Sequence, residues 1–337
     1  MVTLKEIARQ CGVSVASVSK AINHMPGVGA QTAQRIRDTA RALGYLPNAA
    51  AQALKTNRSF NIGVLLEDDD NHGLLHQFFV SVLDGFRVVM EEQGYDLMLM
   101  NRTVGKRTIS YLEHCRHSNL DGVFVACIDF SDPELLELAN ANVPLVSIDH
   151  TYEGHHSVYS DNVDGVYQAV LYAHERGHRR IAYISGAPAG VTSKRLEGYH
   201  KALSELGIAP RADYHVYSRY RDIHRTYAAT QQLLALKEPP TCILMPDDYA
   251  SHGGQLAIQN AGLRVPQDIS IIGFDGLEYF KFISPRLSTV AQNATAIGEQ
   301  AARLLLLAIE NRGKDIPGQS VKLPVMFIKG ETVAPPN

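Results

Sequence analysis

From Phe60 onward the chain alternates apolar runs of strand length with helical stretches, and that rhythm restricts it more than any other feature. FNIGVLL, YDLMLM, DGVFVAC and PLVSI form a first set; RIAYISG, TCILMP and DISIIGF form a second. Strands separated by helix-length segments build βαβ units on a parallel sheet. Two sets predict two doubly wound subdomains with a cleft between them. Ligands in open α/β sheets sit outside the carboxyl ends of the strands. Glu67–His76, Asp149–His150, Ser185–Arg195, Met245–Tyr249 and Phe274–Leu277 should therefore surround one cavity.

The first sixty residues have a different texture. Thr3-Leu-Lys-Glu6 has the form of a capping box, and Leu4, Ile7, Ala8 and Cys11 then recur at helical spacing. Gly12 can end that helix, and Ser14 can cap a second one whose inward face is Val18, Ala21 and Ile22. Ala16, Ser19, Lys20 and Asn23 point the other way. A third helix is expected from about Thr32 to Leu43, carrying Arg35, Arg37 and Arg41. Two short helices joined at a glycine, the second presenting small and polar residues, describe a helix-turn-helix. A three-helix bundle docked on protein would share that spacing. Charge favours nucleic acid: residues 1–58 hold eight Lys and Arg against Glu6 and Asp38, a surplus of six, while the whole chain is at −3. A basic head on an acidic body suits a polyanion-binding module joined to something else.

TLKEIARQCGVSVASVSKAIN and RIRDTARALGYLPNAAAQAL resemble the DNA-binding head of the lactose/galactose repressor family of bacterial transcription regulators. The resemblance implies that Val15, Ala16 and Lys20 touch base edges. Ser14, Ser17 and Ser19 would contact phosphates, which position the helix without reading sequence, and Asn23 belongs to the same surface. It further implies a hinge helix within NAAAQAL, with Asn48, Ala51 and Leu54 toward DNA and Leu54 as the wedge that unstacks the central step. Two departures stand out. Lys20 replaces the usual Arg and loses the planar fork that suits guanine, and Gly29 and Ala33 replace a capping Ser and a polar residue.

The body resembles the same family's effector domain, which is similar to periplasmic sugar-binding proteins, through FFVSVLDGF, VPLVSID, KRLEGYHKAL, the PDDYASHGGQLAIQNAGLRVPQDISIIGFDG segment and LSTV. The match implies that Arg195, Asp247 and Asp275 hold a ligand, that Phe79 packs on it with Phe78 beside, and that Tyr220 or Arg221 supplies a lid. Asp149, at a strand end, is a further candidate. Carboxylates accept from vicinal hydroxyls, a guanidinium donates to oxygens and an aromatic ring covers a sugar's C–H face. The organisation expected is an all-α helix-turn-helix head over 1–46, a hinge over 47–58, and an α/β body over 59–330. Its subdomains are about 59–160 with 291–318 and 161–290 with 319–330.

Other chemistries have little to stand on. Cys11, Cys115, Cys127 and Cys242 show neither zinc nor disulfide spacing. There is no GxSxG, GxGxxG or Walker loop, and so no enzyme and no cofactor is expected. His72 and His76, after Asp68-Asp69-Asp70, lack a third metal ligand at a characteristic spacing. His155-His156 reads as a solvated loop. With no signal peptide and no apolar run near the ~18 residues of a membrane span, the expectation is a cytoplasmic homodimer that binds operator DNA and a small-molecule effector, a sugar. A sugar-transport receptor of the same body fold is the alternative from another class, and the basic head argues against it.

Overall fold

The structure, a computed structural model, describes residues 2–45, 58–66, 73–314 and 316–337. It divides into two compact units, Met1–Phe60 and Asn61–Asn337.

The head is three helices on one small core. Helix α1 (Leu4–Cys11) begins with the complete capping box: Thr3 Oγ1 accepts from the Glu6 N–H and the Glu6 carboxylate accepts from the Thr3 N–H at 2.7 Å. It ends at Gly12 with φ of 63°, the left-handed conformation that glycine adopts without a Cβ penalty. Helix α2 (Val15–Ile22) is capped by Ser14, and α3 spans Ala30–Ala42. Ile7, Val18 and Ile36 are fully buried where the three meet. Arg35 donates to the Cys11 carbonyl at 3.1 Å and Arg37 to the Ala21 carbonyl at 3.3 Å. Two arginines of α3 thus bond the last turns of α1 and α2, where helical carbonyls lack partners. Ala33 is in this core, and Gly29 caps α3 without a side-chain bond.

Among the described residues the body has two six-stranded sheets. The first contains β1 (Asn61–Leu66), β2 (Asp96–Leu99), β5 (Gly122–Ala126), β6 (Leu145–Ile148), β7 (His156–Ser160) and β13 (Ser320–Leu323), in the order β13-β7-β6-β5-β1-β2 and parallel throughout. A two-stranded ribbon, β3 (Thr103–Val104) with β4 (Arg107–Thr108), is separate. The second sheet contains β8 (Ile181–Ser185), β9 (His215–Tyr217), β10 (Cys242–Leu244), β11 (Ser270–Asp275), β12 (Ser288–Ala291) and β14 (Met326–Ile328), in the order β14-β12-β11-β10-β8-β9. Only β14 runs antiparallel, against β12. In each sheet the chain leaves one strand for an outer neighbour and then returns to its other side: β1 to β2 then β5, and β8 to β9 then β10. Those reversals are the switch points at which such sheets open a crevice.

Helices cover the sheets: α4 (Gln77–Glu92), α5 (Tyr111–His117) and α6 (Pro133–Ala139) in the first lobe; α7 (Asn162–Glu175), α8 (Gly190–Glu205), α9 (Ile223–Leu234) and α10 (Asp248–Asn260) in the second. A long α11 (Ala294–Glu310) returns to the first lobe and packs on α4 with the backbones almost touching. A Cβ on Gly298 would stand 1.9 Å from the Val82 carbonyl oxygen, and one on Gly85 2.3 Å from that of Thr295.

The chain therefore passes between lobes three times, at 160–162, 291–294 and 324–325. The third falls one strand later than the expected 318–319 boundary, because Ser320–Leu323 pairs in parallel with β7 of the first lobe. His155-His156 is likewise no solvated loop. His156 opens β7 and is 3% exposed, with Nδ1 accepting from the Gln319 N–H at 2.9 Å, and burial lowers its pKa.

Candidate functional site

Two surfaces carry functional side chains, one on each unit. On the head, Ser14, Val15, Ala16, Lys20 and Asn23 are exposed, and Ser17 and Ser19 are half-exposed. Together they cover the first turn and one face of α2. Ser14 Oγ accepts from the Ser17 N–H at 3.1 Å and lies 2.9 Å from Ser17 Oγ. Asn23 donates to the Ser19 carbonyl at 2.6 Å and so closes the helix. Val15 stands 40% exposed although it is apolar, at the end that a groove-reading helix presents to base edges. Asn48, Ala51 and Leu54 lie outside the described residues.

In the body, the residues gather around Arg195. It comes from the first half of α8, is 4% exposed, and lies flat on Phe274 with its guanidinium carbon 3.5 Å from the ring centre. Nε donates to Asn162 Oδ1 at 2.8 Å and Nη1 to the Pro246 carbonyl at 3.0 Å. Tyr220 faces it, ring centre at 5.3 Å, with its hydroxyl 2.9 Å from Thr192 Oγ1. Gly186, just past β8, is required there: a Cβ would stand 2.2 Å from the Tyr220 ring. Tyr220 thus turns inward, and Arg221 faces elsewhere.

Three carboxylates, Asp149, Asp247 and Asp275, feel the Arg195 charge, and with Asp248 beside them they divide into two kinds. Asp247 and Asp248, after β10, are 2% and 0% exposed, and backbone or hydroxyl donors occupy them. Asp247 Oδ1 accepts from the Ala250 N–H and Oδ2 from the Arg221 N–H, both at 2.7 Å. Asp248 accepts from Thr289 Oγ1 at 2.5 Å and the Leu277 N–H at 2.7 Å. Asp149 and Asp275 are only partly buried and keep capacity. Asp149 follows β6 with φ of 62°, and its Oδ1 has no hydrogen-bond partner. Asp275 ends β11 with φ of 113° and accepts from Gln292 Nε2 at 2.8 Å.

Burial raises the pKa of Asp149 to about 6, with the Arg195 charge opposing. Burial likewise lifts Asp275 to about 7; Arg195 opposes and Asp247 adds to the rise. Burial also raises Asp247 and Asp248. Carboxylates held short of donors in a cleft are arranged to receive them from something else.

Two further expected residues come from the start of α4 in the first lobe. Phe78 is 5% exposed inside the first lobe, while Phe79 is half-buried with its ring 4.6 Å from that of His76. His72 and Asp68 to Asp70 lie outside the described residues, among which no three His, Cys, Asp or Glu side chains converge as a metal site would need. Sequence reasoning missed Asn162, which orients Arg195, and Gln292, which holds Asp275. Neither sits in a recognisable spacing, and only the sheet register brings them in.

A family model described as bacterial regulatory proteins, lacI family, matches residues 3–48, and one described as a periplasmic binding protein-like domain matches 170–333. Relatives named HTH-type transcriptional repressor PurR include one from Vibrio atlanticus (strain LGP32), 31% identical with 93% of each chain covered. Another, from Pectobacterium carotovorum subsp. carotovorum (strain PC1), is 33% identical and covers 94% of this chain and 92% of the relative. Among solved structures, the lac repressor dimer bound to operator and the anti-inducer ONPF superimposes with a TM-score of 0.81 at 26% identity, over 99% of both chains. The transcriptional regulator CelR–cellobiose complex gives 0.71 at 25% identity, over 98% of this chain and all of that one. A LacI family regulator from Enterococcus faecium with bound ribose gives 0.70 at 27% identity, over 82% of this chain and all of that one. Among the described residues no helix is long and apolar enough to cross a membrane.

Proposed function

The chain belongs to the lacI family of bacterial regulatory proteins, and from that premise we propose that it is a cytoplasmic, non-enzymatic transcriptional repressor that binds operator DNA as a homodimer and answers to a sugar. Two heads read half-sites of a pseudo-palindromic operator through α2 in the major groove. Val15, Ala16 and Lys20 meet base edges, Ser14, Ser17 and Ser19 meet phosphates, and Asn23 holds the end of the helix. The segment with Asn48, Ala51 and Leu54 enters the minor groove.

The observation that carries the effector assignment is the pairing of two under-satisfied carboxylates, Asp149 from one lobe and Asp275 from the other, about a buried arginine whose Nε and Nη1 are already engaged. Such a site accepts more hydrogen bonds than it offers. It suits a neutral ligand rich in hydroxyl donors and opposes a phosphorylated one, whose added negative charge would enter beside carboxylates. Tyr220 and Phe79 supply ring faces for the ligand's C–H surface, with Phe78 behind Phe79. Asp247 acts at one remove, through the loop whose Arg221 N–H it holds. The ligand shifts operator affinity only through unequal affinity for the DNA-bound and free states.

The test is a thermal-shift screen against neutral mono- and disaccharides, sugar phosphates and purines, followed by operator titration with any hit. A neutral sugar should raise the melting temperature of the parent protein and lose that effect in Asp275→Ala. A hit confined to sugar phosphates or purines would remove the sugar reading.

A further inference from the structure

The loop Arg219–Asp222 carries more than the inward Tyr220. Arg221 adopts φ of 58°, a left-handed conformation that a residue with a Cβ takes only when something holds it. What holds it is Asp247, whose Oδ2 accepts the Arg221 N–H at 2.7 Å while Oδ1 caps α10. The turn sends the Arg221 side chain past α10 of its own lobe to the first lobe. The guanidinium lies over Tyr249, 5.0 Å from the ring centre, and Nη2 donates to the Leu75 carbonyl at 3.0 Å. Leu75 belongs to the first lobe, in the short turn Gly73–Leu75 that precedes α4. One residue is therefore pinned by its backbone in one lobe and bonded by its side chain in the other.

We propose that Arg221 is a latch between the lobes, setting how readily the cleft over Arg195 opens. This rests on reading that cleft as the effector site. The route from ligand site to latch is short: Tyr220 covers Arg195, Arg221 follows it, and Asp247 ties the same loop to the start of α10. Opening the lobes breaks the bond to Leu75, so the latch favours the closed form before any ligand arrives. A charged donor on a carbonyl at a part-exposed site is enough to bias that equilibrium, and too weak to lock it.

Hydrogen–deuterium exchange on the full-length protein without ligand tests this, by comparing the parent with Arg221→Ala, Arg221→Met and the control Arg225→Ala. Arg225 lies four residues on, in the first turn of α9, and pairs with the cap residue Asp222. Both Arg221 variants should speed exchange, by about three- to tenfold, in two peptides distant in sequence, 73–80 and 218–225. A reference peptide, 164–173 of α7, should stay at parental rates, and Arg225→Ala should leave 73–80 unchanged. Faster exchange in 218–225 alone, or in neither, would overturn the latch, since the guanidinium would then not tie the lobes in solution. If the alanine variant loses its fold, shown by the reference peptide, the methionine variant decides by the same criterion, because it keeps the length and apolar stem of the side chain. No effector enters the measurement, so a failed sugar screen and a failed latch are separate results.

Discussion

At Asp275 and Asp149 the folded protein holds carboxyl groups whose ionisation it disfavours. Their pKa values, raised to about 7 and about 6, lie above the ordinary value near 4 that the unfolded chain restores. The folded state therefore binds protons more tightly, and stability is lost as pH climbs from about 4 to about 7. Asp275→Asn should raise stability by about 2 kcal/mol at pH 8 and leave it nearly unchanged at pH 4.5, measured by urea unfolding at both values. A stabilisation equal at the two pH values would show that charge is not its origin. The same variant should lose its response to the effector, which is the usual cost of a site built for ligand before fold. The contrast with Asp247 shows what one residue's letter conceals. Both are aspartates after a strand, both lie near Arg195, and only the bonds to the Ala250 and Arg221 N–H groups reveal that Asp247 is already occupied.

Among the elements, α2 and the α4–α11 pair were legible to very different degrees. Capping residues and helical spacing locate α1 and α2, because caps and periodicity act within a few residues. Lys20→Ala should weaken operator binding by about tenfold or more while leaving the fold intact, read by titration at fixed salt with circular dichroism as control. Arg35 and Arg37 enter the sequence reading as part of the head's positive surplus; in the fold they bond the ends of α1 and α2. The contact of α4 with α11 joins segments some two hundred residues apart and has no local signature beyond small residues. Gly298→Ala should cost about 2 kcal/mol or more, since its Cβ would meet backbone, which cannot swing aside. Thermal unfolding of the variant checks this. The strand runs were readable as strands, but the partner of Ser320–Leu323 was not, because register between distant segments is set by the sheet they join.

For the whole molecule, the surplus of positive charge is confined to the head, and screening limits the reach of the acidic body to about 8 Å at physiological ionic strength. Operator affinity should therefore fall steeply with salt, by about a thousandfold between 50 and 200 mM if six or more phosphates are neutralised. Fluorescence anisotropy across that range measures it, and a shallow slope would point to a head that makes few phosphate contacts. The two lobes are joined by three chain crossings, and Arg221 bridges them by its bond to the Leu75 carbonyl. The crossings also order events during synthesis. The first lobe completes its sheet only with β13 at Ser320–Leu323, and the second only with β14 at Met326–Ile328. Each lobe's sheet lacks an edge strand until those residues are free, whereas the head's core is made within its own three helices. A nascent chain thus has a folded DNA-reading unit long before it has a working sensor. The capacity to respond therefore waits on two short edge strands, β13 and β14, that lie far along the chain from the head.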